Sequence, residues 1–178
     1  MAAISSDALD RARRVRLMIF DVDGVMTDGR LWYGPDGEAL KAFHSLDGHG
    51  VKMLSASGVP SAILSGRRSA AVERRAAELG IAHVLQGIED KRAAYEGLIA
   101  RLGVEAAATG YAGDDVMDLP VLLRCGFACA PREAPAAVRE RVHYVCSSAA
   151  GHGAVRELCE LLMRAQGTLD ASLAKYLA

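Results

Sequence analysis

The stretch Phe20-Asp21-Val22-Asp23-Gly24-Val25-Met26-Thr27-Asp28 is the most informative part of the chain, because it joins an apolar run, Val15 to Phe20, to two carboxylates and a glycine. On a strand, residues i and i+2 point the same way, so Asp21 and Asp23 would leave the strand end together. Gly24 would let the backbone turn sharply behind them. Such carboxylates can hold Mg²⁺, and one could attack phosphorus while the other handles protons. A solvated Asp-Gly turn after an edge strand fits the same residues, so the rest of the chain has to decide.

The composition is that of an ordinary soluble globular protein. The chain has 178 residues, of which 51% are hydrophobic and 24% charged, with a formal net charge of −1. This length suits a single domain over residues 1–178. The near-neutral charge argues against a nucleic-acid binder driven by bulk charge, and no apolar run approaches the roughly 20 residues that span a bilayer. The polar start, Met1 to Arg14, predicts a short frayed helix and no secretory signal.

The cysteines indicate a reducing compartment. Cys125, Cys129, Cys146 and Cys159 form no Cys-x-x-Cys pair, and no histidine spacing completes a zinc site. We therefore expect buried, reduced, structural thiols and a cytoplasmic protein.

Short apolar runs alternate with helical patterns along the chain. Helical spacing recurs in Tyr95–Leu102 and Val155–Leu162, and Ser69–Leu79 begins with a possible capping serine and is followed by Gly80. The pattern predicts an α/β fold with a mostly parallel sheet between two layers of helices, in which ligands bind at the carboxyl ends of the strands. The strand candidates lack clean polar alternation, as central strands do; they are Arg16–Phe20, Ser61–Leu64, His83–Gln86, Ala107–Tyr111, Gly126–Ala130 and Tyr144–Cys146.

One segment interrupts this alternation. Leu31-Trp32-Tyr33 and Glu38–Phe43 flank Gly34-Pro35-Asp36-Gly37, which predicts a β-hairpin around a Pro-Asp-Gly turn. The hairpin, over about residues 30–43, would project from the sheet near the paired carboxylates, and its aromatic side chains could pack on their own domain or on another subunit. The tail from Gly167 to Ala178 is expected to be weakly ordered unless something holds it.

Two further strand ends carry groups that suit an anion. Ser65-Gly66-Arg67 offers a hydroxyl, backbone amides and a cation to a phosphate or a carboxylate, although a capping turn with a solvated arginine also fits. Lys91 stands at a predicted helix start, where the macrodipole disfavours a cation unless it faces an anion or a carboxylate cluster. A solvated lysine is the alternative there.

A fourth strand end is acidic. Gly113-Asp114-Asp115-Val116-Met117-Asp118 crowds three carboxylates into one strand-to-helix loop. Their repulsion favours a bound divalent cation over simple helix capping. The separate segment Phe43–Gly50 joins the hairpin to the next helix, and it could present hydrogen bonds to a polyhydroxylated ligand or be an ordinary loop with an aspartate cap.

Taken in order, the four strand-end segments resemble the motifs of the haloacid dehalogenase-like phosphatases. The set is Asp21-x-Asp23-Gly-x-x-Thr27, Ser65-Gly66-Arg67, Lys91 and Gly113-Asp114-Asp115-x-x-Asp118. From about Arg16 to Asp170 the chain is similar to one branch, the 3-deoxy-D-manno-octulosonate 8-phosphate (KDO 8-phosphate) phosphatases. The likeness includes the hairpin, Phe43–Gly50, Gly66-Arg67, Gln86-Gly87, Gly151–Glu157 and Ala165-Gln166-Gly167.

This resemblance implies a Rossmann-like core without a large cap domain. It also implies a homotetramer in which the hairpin of one subunit covers the site of its neighbour, and in relatives the tail can reach a neighbouring active site. By motif, Asp21 would be the nucleophile and Asp23 the general acid/base. Asp21, the backbone carbonyl of Asp23 and Asp114 would hold Mg²⁺. Ser65 and Lys91 would grip the phosphoryl oxygens.

Further positions are carried over from the same branch. Asp115 and Asp118 would lie next to the metal ligands and orient them. Leu46 stands where many relatives have a basic residue, Lys52 replaces an arginine, and Thr168 stands where the tail often carries lysine. These departures weaken the expectation of an identical grip on the substrate. The residues that fall where relatives contact the sugar acid are His44, Ser45, Leu46, Asp47, Gly48, Lys52, Gly66, Arg67, Arg75 and Lys91.

The predicted reaction is Mg²⁺-dependent hydrolysis of KDO 8-phosphate through an aspartyl phosphate, as a step of lipopolysaccharide precursor synthesis. A nine-carbon keto sugar acid 9-phosphate is the rival substrate. Arg67 favours the eight-carbon acid, because the similar phosphatases of the nine-carbon ester tend to carry glutamate there. A phospho-acceptor signalling domain is a rival of a different class, which the hairpin and the Asp114-Asp115 pair disfavour. A non-catalytic subunit of a sugar-nucleotide enzyme is a third rival.

Overall fold

Strands and helices alternate along the chain, as the sequence predicts. The computed structural model describes residues 4–35 and 37–177. In chain order the elements are α1 (Ser6–Arg14), β1 (Leu17–Phe20), β2 (Trp32–Gly34), β3 (Gly37–Leu40), α2 (Ser45–Ala56), β4 (Ser61–Leu64), α3 (Ala70–Leu79), β5 (His83–Leu85), α4 (Lys91–Leu102), β6 (Thr109–Ala112), α5 (Leu119–Leu122), β7 (Phe127–Ala130), α6 (Ala136–Arg139), β8 (Tyr144–Val145), α7 (Ala154–Ala165) and α8 (Leu169–Ala174). Short 3-10 turns at Ala106–Ala108 and Val116–Asp118 precede β6 and α5.

A parallel sheet of six strands runs through the centre in the order β5-β4-β1-β6-β7-β8. β1 lies between β4 and β6 and pairs in parallel with both. Every residue of β1, β4, β6 and β7 is buried, as the apolar runs predict. Because the connections run outward in opposite directions from β1, a crevice opens beyond its carboxyl end, which is where open α/β sheets bind ligands.

Helices cover both faces of this sheet and give the predicted three layers. Met18 and Phe20 of β1 belong to the core on the side of α1, α2, α3, α7 and α8. Leu17 and Ile19 belong to the core on the side of α4, α5 and α6. The central strand is therefore apolar on both faces, and the predicted α/β class is confirmed.

β2 and β3 form the antiparallel hairpin that the Pro-Asp-Gly segment predicts. Asp36, one of its turn residues, lies outside the described residues. Trp32 and Tyr33 are 54% and 65% exposed in the single chain. The residue that follows β3, Lys41, hydrogen-bonds to Asp23, so the base of the hairpin lies at the carboxyl edge of the sheet.

One expectation about order was wrong, and the condition attached to another, that contacts could hold the tail, is met. The N-terminal helix is capped rather than frayed, because Ser5 Oγ accepts a hydrogen bond from the Ala8 N–H at 3.2 Å, and Ala8 is buried. The tail forms α8 and continues to residue 177: Leu169 is buried in the core, and Tyr176 Oη lies 3.2 Å from His49 Nε2. Met1–Ala3 and Ala178 lie outside the described residues.

The loop expected over Phe43–Gly50 is also wrong, because α2 begins at Ser45. Its two glycines allow close packing that outweighs their low helix propensity. A Cβ at Gly48 would lie 2.0 Å from Arg75 Nη2, and one at Gly50 would lie 3.0 Å from the backbone of Arg156 on α7. Tertiary packing therefore sets the start of this helix.

The bounds of the strands and the state of the cysteines are close to those expected. The strands of the parallel sheet start and end within two residues of the predicted bounds, and β4 matches them, whereas the second hairpin strand ends at Leu40, three residues early. β6 starts at Thr109, because Ala106–Ala108 forms a 3-10 turn. The four cysteines are buried and unpaired, as expected. Within the described ranges, no helix combines the length and apolar character needed to cross a membrane.

Candidate active site

The four motif segments meet in one cavity of about 350 Å³ at the carboxyl edge of the sheet. β1, β4 and β6 end at this edge, and α4 begins there. The cavity is lined by Asp21, Asp23, Ser65, Gly66, Arg67, Ile88, Glu89, Lys91, Asp114, Asp115, Met117 and Asp118. The structure thus brings together the residues that sequence reasoning assigned to phosphoryl and metal chemistry.

A tight loop after β1 presents the first two carboxylates. The N–H groups of residues 25–27 donate to the carbonyl of Val22 at 2.9–3.2 Å, and the Thr27 hydroxyl donates to it at 3.3 Å. Gly24 has a φ of +84°, and a Cβ there would lie 2.1 Å from Asp114 Oδ2. Only glycine therefore lets the Asp114 carboxylate approach this loop.

Asp21 is buried at the exit of β1. Its N–H donates to the Ala112 carbonyl at 2.9 Å, so its backbone still follows the sheet. Its Oδ1 accepts a hydrogen bond from Lys91 Nζ at 2.8 Å. Burial, and next the repulsion of Asp118, raise the pKa of Asp21 to about 6, against the opposing attraction of Lys91. Its fixed carboxylate is suited to nucleophilic attack once ionised.

Lys91 is the first residue of α4 and faces a carboxylate cluster, as its unfavourable place in the helix dipole suggests. Its Nζ lies 2.8 Å from Asp21 Oδ1 and 2.6 Å from Asp118 Oδ1. Burial alone would lower the pKa of Lys91, but the two carboxylates outweigh it and raise that pKa. The buried ammonium is therefore charged, and it lies where it can contact both a nucleophile and an anionic substrate.

Asp118 uses both of its oxygens within the protein. Oδ1 accepts from Lys91 and from Tyr111 Oη, the latter at 2.5 Å. Oδ2 accepts from the N–H groups of Asp114 and Asp115 at 3.0 and 3.2 Å. Burial, and then Asp118, raise the pKa of Tyr111 well above its usual range, so its hydroxyl is a donor. Asp118 therefore orients the acidic loop, and the exposed Asp115 caps it by accepting from the next N–H at 2.7 Å.

The carboxylates of this cavity fit a divalent cation. Oxygens of Asp21, Asp114 and Asp118 all lie within 4.8 Å of one another. Burial, followed by repulsion from Asp21, Asp118 and Asp115, raises the pKa of Asp114 to about 7. An all-oxygen donor set with this excess of negative charge suits Mg²⁺. Asp21 and Asp114 are the more available donors, because both oxygens of Asp118 already accept hydrogen bonds within the protein, whereas Lys91 contacts Asp21 through Oδ1.

Ser65 directly follows β4, is buried and lines the cavity. Its N–H donates to the Leu85 carbonyl at 2.9 Å, and its own carbonyl accepts from the Ile88 N–H at 3.1 Å. These two bonds fix the backbone that carries the hydroxyl. Gly66 and Arg67 follow on the lining of the cavity, and the Arg67 side chain is half-exposed.

Asp23 is less buried than Asp21 and lies between two cations. Its Oδ1 accepts a hydrogen bond from Lys41 Nζ, and its Oδ2 lies 4.0 Å from Arg67 Nε. Arg67 Nη1 also donates to Tyr33 Oη at 3.2 Å. The hairpin therefore contacts the cavity residues through two of its side chains.

Several predicted substrate contacts lie outside the lining of this cavity. They are His44, Ser45, Leu46, Asp47, Gly48, Lys52 and Arg75. Ser45 and Arg75 instead line a hollow of about 370 Å³, together with Lys41, Arg74 and Glu78, and Arg75 Nη1 donates to Glu78 Oε2 at 3.2 Å. Lys41 also contacts Asp23, so one side chain links the hollow to a residue of the cavity. The assignment of these residues to a substrate stays a prediction.

Asp47 has a structural task in α2. Its carboxylate oxygens accept from the N–H groups of Gly153 at 3.3 Å and Arg156 at 2.8 Å, at the start of α7. Burial raises the pKa of Asp47, while these hydrogen bonds oppose the rise. The side chain thus caps a helix other than its own, and its predicted contact with substrate remains untested.

Sequence reasoning missed two residues beside the catalytic candidates. Lys41 is a single lysine at the end of a short strand, and Tyr111 is part of an apolar run. Neither has a spacing that reveals its partner. Only the position of Tyr111 in the strand before the acidic loop could have indicated that its hydroxyl faces Asp118.

Known proteins are similar to this chain in sequence. Over 169 residues the chain is 42% identical to the 3-deoxy-D-manno-octulosonate 8-phosphate phosphatase of Yersinia pestis. The alignment covers 95% of this chain and 90% of that protein. The chain belongs to the KDO 8-phosphate phosphatase family. No protein-family model matches it.

Solved structures agree with membership of the KDO 8-phosphate phosphatase family. The chain superposes on the probable YrbI-family phosphatase of Pseudomonas syringae pv. phaseolica with a TM-score of 0.96 and 48% identity, over 98% of this chain and 99% of that chain. It superposes on the KDO 8-phosphate phosphatase of Moraxella catarrhalis, whose crystal structure contains magnesium, phosphate and KDO, with a TM-score of 0.93 and 40% identity. That match covers 96% of this chain and 98% of that chain. The likeness therefore spans the whole fold.

Proposed function

We propose that this chain is a Mg²⁺-dependent phosphatase that hydrolyses KDO 8-phosphate to KDO and phosphate. The observation that carries the proposal is one cavity that holds buried Asp21 and Lys91 together with partly buried Asp114, in a chain that is similar to the KDO 8-phosphate phosphatases. A phosphate monoester resists attack because it is anionic. A cavity that places a cation beside a fixed carboxylate suits that problem.

Asp21 is the proposed nucleophile. Its carboxylate oxygen forms a bond to phosphorus while the bond from phosphorus to the sugar oxygen breaks, which gives an aspartyl phosphate. Lys91 and the Ser65 hydroxyl hold phosphoryl oxygens and neutralise part of their charge. The contact between Lys91 and Asp21 supports this role, since one ammonium can orient the nucleophile and its target.

Asp23 is the proposed general acid and base. It gives a proton to the departing sugar alkoxide and then takes one from the water that attacks the phosphorus of the aspartyl phosphate. That second step releases phosphate and restores Asp21. Asp23 lines the same cavity as Asp21 and is the less buried of the two, which supports a position beside the leaving group.

Asp21, the backbone carbonyl of Asp23 and Asp114 are the proposed Mg²⁺ ligands. When bound, the ion supplies positive charge that neutralises the phosphoryl oxygens and the neighbouring carboxylates. Asp118 and Asp115 hold the loop of Asp114 in place through its backbone. The elevated pKa of Asp114, at about 7, supports a cation here, because the carboxylate is poorly compensated by the protein alone.

Arg67 supports an acidic sugar as the substrate. It lines the cavity near Asp23, and a guanidinium can bind a carboxylate through two parallel hydrogen bonds. The hollow with Arg75 offers further positive charge to the far end of an eight-carbon acid. We infer that His44, Ser45, Leu46, Asp47, Gly48, Lys52 and Gly66 also border the bound sugar acid.

We further propose a homotetrameric, cytoplasmic enzyme with one domain over residues 1–178. The exposed Trp32 and Tyr33 support a subunit contact through the hairpin, since aromatic side chains are enriched at interface cores. Light scattering of the purified protein measures the assembly, and a monomer would contradict it.

A substrate panel tests the reaction. Purified protein with Mg²⁺ is assayed for phosphate release from KDO 8-phosphate, a nine-carbon keto acid 9-phosphate and simple hexose phosphates. We expect KDO 8-phosphate to have the highest kcat/KM. Preference for the nine-carbon ester would transfer the assignment to that substrate. A lasting phosphoryl adduct without turnover would instead indicate the signalling domain.

A further inference from the structure

Lys41 connects the base of the hairpin to the proposed acid/base. It directly follows β3, and its Nζ hydrogen-bonds to Asp23 Oδ1. The Lys41 side chain is 1% exposed, whereas that of Asp23 is 19% exposed. The cation is thus more deeply buried than the carboxylate that it contacts. Burying an ammonium costs free energy unless an opposite charge compensates it, so the contact with Asp23 helps to stabilise the buried Lys41.

The two oxygens of Asp23 have different surroundings. Lys41 donates to Oδ1, which fixes the carboxylate in one orientation. Oδ2 lies 4.0 Å from Arg67 Nε, which is longer than a hydrogen bond. Asp23 and Arg67 both line the cavity. The oxygen held by Lys41 is therefore occupied, and Oδ2 is the better placed for exchange of a proton with a ligand.

We propose that Lys41 is a positioning residue that orients Asp23 so that Oδ2 delivers the proton to the leaving sugar oxygen. This inference rests on the proposed function, which gives Asp23 that proton transfer. A second contact extends it: Tyr33, on the other strand of the hairpin, accepts from Arg67 at 3.2 Å. The hairpin thus contacts Asp23 directly and its neighbour Arg67, so its placement sets the geometry of the acid.

Leaving-group dependence provides the test. A sugar alkoxide is a poor leaving group and needs a proton, whereas p-nitrophenolate leaves without one. For Lys41→Met, we expect kcat/KM, which reports only the steps up to formation of the aspartyl phosphate, to fall about 30-fold on KDO 8-phosphate and less than about threefold on p-nitrophenyl phosphate. Asp23→Asn should show the same selectivity to a larger degree. Lys41→Arg keeps a donor for Oδ1 and should recover part of the loss.

The comparison is made within one preparation of each variant, so a reduced fraction of folded protein cancels in the ratio of the two rates. Arg101→Met, at an exposed position of α4, is the matched surface control and should leave both rates unchanged. Equal losses on the two esters would overturn the role of Lys41 while leaving the proposed function standing. A wild-type protein that hydrolyses no phosphate ester would overturn both.

A crystal structure of Lys41→Met gives a second measurement that does not depend on the aryl ester. We expect the Asp23 carboxylate to rotate from its orientation in the wild-type protein, with Asp21 and Lys91 unmoved. An Asp23 side chain that keeps its orientation without Lys41 would contradict the inference.

Discussion

Asp114 shows how one residue links stability to metal binding. Its carboxylate lies beside Gly24 and faces three other acidic side chains, so the folded protein raises its pKa to about 7. Without a cation, ionising this group near neutral pH works against the fold. With a cation, the same charge becomes a ligand.

Asp114→Asn should therefore separate the two effects. At pH 8 without metal, we expect the variant to be more stable than wild type by about 2 kcal/mol, or about 4–8 °C in Tm, because a partly buried, repulsive charge is gone. Added Mg²⁺ should no longer raise its Tm. Differential scanning calorimetry measures both. Glu140→Gln, at an exposed site, is the charge control. A variant as responsive to Mg²⁺ as the wild type would exclude Asp114 as a ligand.

Gly24 tests the close approach of the two loops. We expect Gly24→Ala to weaken Mg²⁺ binding by at least about tenfold, because a Cβ would lie 2.1 Å from Asp114 Oδ2 and displace it. Gly58→Ala is the matched control: Gly58 has a φ of +100°, but a Cβ there would have no atom within 4 Å. Both variants carry the strain of a positive φ, and only Gly24→Ala should lose metal affinity by titration calorimetry. Equal affinities in the two variants would refute the steric argument.

At the scale of elements, α2 and α7 are joined through a buried carboxylate. α2 places Asp47 where it accepts from two N–H groups at the start of α7. α7 begins after Gly153, which has no side chain to cap it. One helix therefore supplies the cap that the other lacks.

Asp47→Asn should lower the free energy of unfolding by about 1–3 kcal/mol, because an amide can accept with only one atom and turns a donor toward an N–H group. Urea denaturation measures the change. Asp10→Asn, on the exposed face of α1, should cost less than about 0.5 kcal/mol. If KM for the sugar phosphate stays unchanged in folded Asp47→Asn, the residue serves the fold alone. A variant of wild-type stability would contradict the capping role.

Local chemistry explains which elements the sequence could predict. The buried strands, the Pro-Asp-Gly hairpin and the turn at Gly24 all follow from short patterns, and the structure has each of them. The start of α2 was missed because two glycines normally weaken a helix, and packing against Arg75 and Arg156 decides otherwise. Lys41 was missed because its importance depends on a partner 18 residues away that the hairpin brings back to it.

For the molecule as a whole, a rise in pH should lower the thermal stability of the metal-free protein, and Mg²⁺ should raise it. The folded protein raises the pKa of Asp21 to about 6 and that of Asp114 to about 7, above the value of about 4 in an unfolded chain. Their contribution to stability is fully present below about pH 4 and is lost as pH rises through 6 and 7. We expect the Tm of the metal-free protein to fall between pH 5 and pH 8.

Mg²⁺ should restore the Tm most strongly at pH 8, where it does not compete with protons. Thermal scans with and without Mg²⁺ across this range measure the effect, and Asp114→Asn should flatten the pH dependence. A Tm of the metal-free protein that rises steadily to pH 8 would contradict this prediction, because the negative charges of Asp21 and Asp114 would then not destabilise the fold.

In the proposed mechanism, Asp21 attacks phosphorus in a cavity formed by four distant segments of the chain. The most direct measurement is the rate of phosphate release from KDO 8-phosphate with Mg²⁺ by wild-type protein and by Asp21→Asn, each shown to be folded by circular dichroism. We expect turnover by the wild type and a loss of at least about 10³-fold in the variant. Comparable rates in the two proteins would contradict the assignment of Asp21 and the mechanism built on it.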